Sequence, residues 1–371
     1  MTDARCTLLV DGREAFPAIL EAIAAAEVSI VINMFIWRDD AIGNRMARAV
    51  LEAADRGVSV KLSVDRYGAV LEKAEECRRS FFHKRQSPIE RLKARALSIF
   101  YREKGALPWQ RDGESDLYRA ILAHPRIALD CDRHKADHSK FYIVDGRVLF
   151  LGGVNIEDKE NGADREGRVY GDLMVRLDGE DVVRAFLDRR AGAPLEGELL
   201  FPMNLKEGGR FEMEEHYLSL IDAARERLLI VMAYLSPLPR FMDAIVRAHR
   251  RGVRVTVMIP ARANYQNDTN RKTVARLLAL TDGGIEVRLS EKMLHTKLLV
   301  TEAAVSFGST NITKKAFCQL DELNLTVKNA DTPLCRAVGD AMERELAAAT
   351  PVGVGEVTYS RLRAFLEGFL V

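Results

Sequence analysis

The 371-residue chain reads as a duplicated α/β protein. Two observations predict this. A strand, helix, glycine, strand pattern occurs twice, and each copy is followed in the same order by a His-x-Lys strand and a small-residue turn ending in Asn. Hydrophobic residues make up 47% of the chain and charged residues 29%. That is the balance of a chain able to bury a core, and at this length the material suffices for two or three domains.

In the first copy, the apolar run Val28 to Trp37 predicts a strand, and Met46, Val50, Leu51 and Ala54 recur at helical spacing. At Arg56-Gly57-Val58-Ser59-Val60 the helix stops at a glycine C-cap and alternation begins. The second copy runs from Leu228 to Leu235, through Phe241, Ile245, Val246 and His249, to Arg251-Gly252-Val253-Arg254-Val255. Farther on come His138-Ser139-Lys140 with Gly152-Gly153-Val154-Asn155, and His295-Thr296-Lys297 with Gly308-Ser309-Thr310-Asn311. The Arg-Gly-Val elements are offset by 195 residues and the His-x-Lys elements by 157, so the first copy holds about 38 extra residues, placed within about 71–110. Asp145-Gly146 between two apolar runs predicts a tight hairpin. Residues 191–209, rich in Gly, Pro and Glu, read as a linker with the boundary near residue 205, and Leu362, Phe365, Leu366 and Phe369 read as a helix docked on the body.

The 55 Lys+Arg and 54 Asp+Glu leave a net charge of +1, so no global field favours nucleic acid. The longest uncharged stretch, Leu228 to Pro239, has twelve residues, short of a membrane span. With no apolar signal segment at the N-terminus, the chain reads as cytoplasmic. Five scattered cysteines fit reduced thiols. Cys131-x2-His134-x3-His138 has metal-like spacing but lacks a second ligand cluster, so no metal is expected.

Residues i and i+2 of a strand share a face, so His138 with Lys140, and His295 with Lys297, each present an imidazole beside an ammonium. Two such pairs suit attack on a phosphodiester. One histidine takes the phosphoryl group, the other protonates the leaving oxygen, and the lysines hold the nonbridging oxygens. Asn155 and Asn311, at turns after the following strands, are candidate amide donors to the same oxygens. Lysines and imidazoles supply the cations and protons, so no organic cofactor is expected.

The pattern His-x-Lys-x4-Asp at His138, Lys140 and Asp145, with Gly-Gly-x-Asn downstream and a second copy at His295, Lys297 and Asn311, resembles the phospholipase D superfamily. The likeness runs from about Leu8 to Val327, and Phe35-Ile36-Trp37 through Arg56-Gly57-Val58 looks like its cardiolipin synthase branch. The resemblance implies two tandem phospholipase D-like α/β/α halves, residues 1–200 and 206–371, related by pseudo-two-fold symmetry with the active site in the cleft between them. A monomer then suffices for the site. It also implies transfer of a phosphatidyl group, from a phosphatidylglycerol-like donor through a phosphohistidine, to an alcohol or to water. His138 is read as the nucleophile and His295 as the acid that becomes the base. The carboxylate partners of the imidazoles map to Asp172 and Glu322, with Glu322 expected to set the tautomer of His295. Asp145 is read as a turn residue, because the second copy has Glu302 there and a proton carrier tolerates a longer arm poorly.

Two departures bear on the substrate. Ile312-Thr313-Lys314-Lys315-Ala316-Phe317 replaces the Asp-x-Arg-Ser pattern usual in cardiolipin synthases, and Ala233-Tyr234-Leu235 replaces their Pro-Tyr-Phe. The first departure favours the alternative, a nuclease or other phosphodiesterase of the superfamily; the near-zero net charge opposes it. A lipid-binding scaffold would keep the fold without the chemistry, and the intact His-x-Lys pairs argue against that. Cys77 to Gly105 carries nine Lys+Arg against Glu90 and Glu103, with Ile89, Leu92, Ala96, Ile99 and Phe100 at helical spacing. It reads either as a peripheral contact with an anionic membrane surface or as a helix packed on the body with solvated charges.

Overall fold

The structure, a computed structural model, describes residues 6–76, 80–83, 86–102, 115–162, 164 and 166–370. The chain divides into two compact units: one holds residues up to Tyr170 together with Met174–Asp188, the other Gly171–Leu173 and Arg189 onward.

The first unit is built on a seven-stranded sheet in the order Cys6–Val10, Leu173–Asp178, Val148–Gly152, Phe141–Val144, Ser29–Met34, Ser59–Val64, Ile127–Asp130. Ser29–Met34 pairs in parallel with Ser59–Val64 and antiparallel with Phe141–Val144. Helix Ala41–Asp55 makes the crossover: Asp40 accepts from the Gly43 N–H at 3.0 Å to start it, and Ile42, Met46, Val50 and Ala54 form its buried stripe. Gly57 ends it at φ 104°, a left-handed angle glycine adopts without a Cβ clash, and Gly252 does the same in the second unit at φ 87°.

The second unit repeats six of these strands in the same neighbour order: Glu322–Val327, Val305–Gly308, Lys297–Thr301, Arg227–Met232, Arg254–Pro260, Glu286–Ser290. Helix Pro239–Arg250 makes the matching crossover, burying Phe241, Ile245 and Val246. Between the matching strands the second unit has one helix, Asn267–Leu280, where the first has Arg66–Glu76, Pro88–Tyr101 and Asp116–Ala123. Among the described residues, the extra length of the first copy therefore forms helices rather than strands.

Three expectations are corrected. The stretch 191–209 is not a structureless linker: Leu199–Leu200 and Met203–Leu205 pair antiparallel with Glu322–Val327, so the division falls near residue 189. Strands of two or three residues are too short to show a period. In the C-terminal helix Arg361–Leu370, Leu362 and Phe365 are exposed and Leu366 is half-buried; the buried side chains among those described are Ala364 and Glu367, whose carboxylate accepts from the Thr269 N–H at 2.8 Å, and the Phe369 side chain lies outside the described residues. In helix Pro88–Tyr101 the buried row is Glu90, Ala94, Leu97 and Tyr101, while Ile89, Leu92 and Ile99 face outward. The other charges counted in that segment, Arg78, Arg79, Lys84, Arg85, Glu103 and Lys104, lie outside the described residues.

Candidate active site

In the first unit the segment that carries His138, just ahead of strand Phe141–Val144, is held by hydrogen bonds at Asp137 and Ser139. Asp65, just past Ser59–Val64, accepts from the Asp137 N–H at 2.6 Å. Asp137 in turn accepts from the N–H (3.0 Å) and hydroxyl (2.5 Å) of Ser139, and Asn33 donates to the Ser139 carbonyl at 3.0 Å. His138, Ser139 and Lys140 are buried, and the His138 ring meets Phe35 edge-on at 4.7 Å between centroids. The Lys140 ammonium lies over the same Phe35 ring at 5.1 Å and donates to the His138 carbonyl. Imidazole and ammonium thus meet the same ring, as the i, i+2 spacing predicts, although residues 138–140 precede strand Phe141–Val144 rather than belonging to it.

In the second unit the corresponding segment, just ahead of strand Lys297–Thr301, is fixed by a different backbone partner. The N–H groups of His295 and Thr296 donate to the Gly171 carbonyl at 2.7 and 3.1 Å. The His295 Nδ1 lies 2.9 Å from Asp172 Oδ2, and Lys297 Nζ is 3.8 Å from the same oxygen while donating to the His295 carbonyl. All three side chains are buried. Burial by itself pushes the Asp172 carboxyl up, but Lys297, the His295 hydrogen bond and the Leu173 N–H together hold it below the usual carboxylate range. An ionised Asp172 fixes the proton of His295 on Nδ1, which leaves Nε2 as the end that can exchange a proton.

This pairing corrects the expected assignment. Asp172, not Glu322, orients His295, although Asp172 belongs to the first copy of the repeat in sequence. Glu322 occupies the equivalent position, immediately before Leu323 as Asp172 precedes Leu173, and is buried; it accepts from the Ser309 hydroxyl, which also takes the Leu323 N–H at 3.0 Å. Gly308 is required next to it, since a Cβ there would stand 2.3 Å from the Leu323 carbonyl oxygen.

The two asparagines are buried in both copies. Asn311 Oδ1 accepts from the Tyr234 N–H at 3.3 Å, which directs its Nδ2 end the other way. Asn155 Nδ2 lies 3.5 Å from Glu157, and its Oδ1 has no hydrogen-bond partner among the described residues. Glu157 is itself gripped by the buried Arg38, which also bonds Glu75 at 2.7 Å, and Lys159 reaches Glu75 at 2.8 Å. Sequence reading missed this charged cluster, Asp65 and Asp137, and it marked Phe35 only as part of the resemblance, not as the ring against His138 and Lys140. The buried ion pairs join residues 37 to 119 positions apart, and no local period signals them.

Asp145 and Glu302 stand apart from the histidines, at the far ends of strands Phe141–Val144 and Lys297–Thr301. Asp145 (φ 52°) and Gly146 (φ 63°) form the predicted hairpin turn to Val148–Gly152. The Asp145 carboxylate accepts from the N–H groups of Glu27, Val28 and Ser29 at 2.9, 2.8 and 2.8 Å. Glu302 accepts from Arg225, Glu226 and Arg227 at 2.8, 3.3 and 3.3 Å. Both carboxylates therefore do the same thing, tying the hairpin to the entry of the neighbouring strand, and the longer arm is harmless there. His134, whose spacing suggested a metal, is half exposed and lies 2.9 Å from Glu90.

A repeated six-strand order, with a His-x-Lys strand in each copy, defines a duplicated phospholipase D-like protein. The chain belongs to the family described as cardiolipin synthase, PLD-like domain, whose model matches residues 19–186 and 217–345. It is 27% identical over 332 residues to cardiolipin synthase B of Escherichia coli (strain K12), covering 82% of this chain and 72% of that protein. It is 23% identical over 373 residues to a cardiolipin synthase of Staphylococcus aureus (strain Mu50 / ATCC 700699), covering 94% and 68%. Among solved structures, a phosphatidylserine synthase of Haemophilus influenzae Rd KW20 shares the fold with a TM-score of 0.71, over 100% of this chain and 92% of that one, at 13% identity.

Proposed function

We propose that the protein is a phosphatidyltransferase: it moves a phosphatidyl group from a phosphatidylglycerol-like donor to an alcohol acceptor, or to water, through a phosphohistidine on His138. The observation that carries the reading is the His295–Asp172 pair beside Lys297, in a protein that repeats the His-x-Lys strand. In the first step His138 attacks phosphorus, the bond from phosphorus to the leaving alcohol breaks, and His295 gives its proton to the departing oxygen. In the second step His295 takes the proton of the acceptor hydroxyl, the acceptor oxygen attacks phosphorus, and the phosphorus–nitrogen bond breaks to restore His138. Lys140 and Lys297 hold the nonbridging oxygens, with Asn155 and Asn311 as amide donors as charge builds there. Asp172 stabilises the imidazolium of His295, and Glu322 serves as the buried carboxylate of the other copy.

The substrate is a membrane lipid. No helix among the described residues is long and apolar enough to cross a bilayer. On this reading the protein works as a peripheral enzyme on an anionic surface, the inner face of the cell membrane. The test is lipid mass spectrometry after incubating purified protein with phosphatidylglycerol vesicles. Transfer gives cardiolipin and glycerol, transfer to water gives phosphatidic acid, and His138→Ala gives neither. Cleavage of nucleic acid or another phosphodiester, with no lipid product, overturns the reading.

A further inference from the structure

Helix Pro88–Tyr101 has two faces, and among the described residues only one is packed against the fold. Its inner row, Glu90, Ala94, Leu97 and Tyr101, is buried. Glu90 closes a capping box with Ser87 and bonds Arg66 at 2.7 Å and His134 at 2.9 Å, which fixes the helix to the body and sets its rotation. At 3.6 residues per turn, Ile89, Leu92, Ala96 and Ile99 share a second face roughly 150° from the buried row. Three of these side chains are 67%, 70% and 79% exposed (Ile89, Leu92 and Ile99). Lys93 borders that face on one side and Arg91, Arg95 and Arg102 on the other, all four exposed. The corresponding interval of the second unit has the single helix Asn267–Leu280 and no such helix.

We infer that this helix is the membrane-contact element: Ile89, Leu92 and Ile99 enter the headgroup–acyl boundary, and Arg91, Lys93, Arg95 and Arg102 engage lipid phosphates. An aliphatic strip with cations along both borders matches an anionic bilayer surface in charge and in polarity order, apolar at the centre and positive at the rim. A protein partner would need a complementary acidic rim, and a second copy of this helix would set cations against cations. The inference deepens the phospholipid reading and rests on it for the choice of surface, but its test reads binding without turnover, so the two fail separately.

The test is co-sedimentation of the full chain with vesicles of phosphatidylglycerol and phosphatidylcholine in equal parts, against pure phosphatidylcholine. The mixed vesicles capture the protein and the neutral ones do not. Arg91→Glu with Lys93→Glu and Arg95→Glu lowers partitioning at least about a hundredfold at low salt, since each engaged cation is worth roughly fivefold. Leu92→Ser with Ile99→Ser lowers it at least about tenfold and shifts the melting temperature by no more than about 2–4 °C, because both side chains are already in water and only helix propensity is lost. His138→Ala binds like the wild type, which separates surface binding from occupation of the active site. Equal capture by both vesicle types, unchanged binding of either helix variant, or a lipid-free dimer that the Leu92/Ile99 variant dissociates would each overturn the inference.

Discussion

Asp145 sits inside the pattern that resembles a catalytic motif, and its geometry assigns it to the hairpin instead. Replacing it by Ala removes a carboxylate that accepts three backbone N–H groups. The bonds from Glu27 and Val28 are exposed, so water replaces them and each is worth about 0.5 kcal/mol; the bond from Ser29 is partly buried and is worth about 1.5–3 kcal/mol as a hydrogen bond to a charged group. The sum is about 2.5–4 kcal/mol. At roughly 2–4 °C per kcal/mol for a unit of this size, the first unit should melt about 5–15 °C lower. Glu302→Ala should cost less, about 1–2 kcal/mol, because all three of its bonds are exposed and two are long at 3.3 Å. The assay pairs differential scanning calorimetry with turnover of the folded fraction below the transition. Turnover per folded molecule should stay within about twofold in both variants. An Asp145→Ala protein that melts like the wild type yet has lost turnover would refute the assignment and return this carboxylate to the chemistry.

Asp172→Asn removes the charge that fixes the His295 tautomer, so kcat should fall about 10³- to 10⁴-fold with KM little changed, whereas Glu322→Gln should leave the His295 titration seen by NMR unmoved. Equal displacement of that titration by both variants would contradict the pairing. Burial pulls His83 down to about 4 from 6.5; its Nε2–H donates to the Cys131 carbonyl at 2.7 Å and its Nδ1 accepts from Ser80 at 3.1 Å, so it is neutral when folded. The unfolded chain binds its proton between those two values, so this contribution is complete above pH 6.5 and is lost as pH falls toward 4, about 3 kcal/mol in all. Denaturant titrations of wild type and His83→Gln should therefore converge over that window, and a pH-independent gap would contradict the assignment. Glu72, which burial pushes up to about 8 from 4.5, acts in the opposite sense, losing stability as pH rises across that interval; Glu72→Gln should gain on the wild type from pH 5 to pH 8 in the same titrations.

The duplication was legible because its signals are local: a glycine after a helix, two apolar strands about Asp145-Gly146, and His-x-Lys at strand spacing. The role of Asp145 was legible too, because its counterpart Glu302 differs in length. What the sequence hid depends on long-range partners. Nothing near Asp172 shows that it meets a histidine 123 residues away rather than one in its own copy. The helical period in Pro88–Tyr101 marked a stripe, but Arg66 and His134 turn the polar Glu90 inward and leave that stripe in solvent. Burial of Ala364 and Glu367 in place of Leu362 and Phe365 follows the same logic, with the Thr269 hydrogen bond setting the rotation of the last helix.

The claim at the centre is that His138 carries the phosphatidyl group. Mixing His295→Ala protein with phosphatidylglycerol vesicles, quenching at alkaline pH and digesting for peptide mass spectrometry tests it directly, because loss of the acid and base slows both steps and leaves the intermediate to be caught. The predicted result is a phosphatidyl adduct on the peptide containing His138, labile to acid and absent from the His138→Ala protein. An adduct on His295 in the wild type, or full turnover by His138→Ala, would contradict the account.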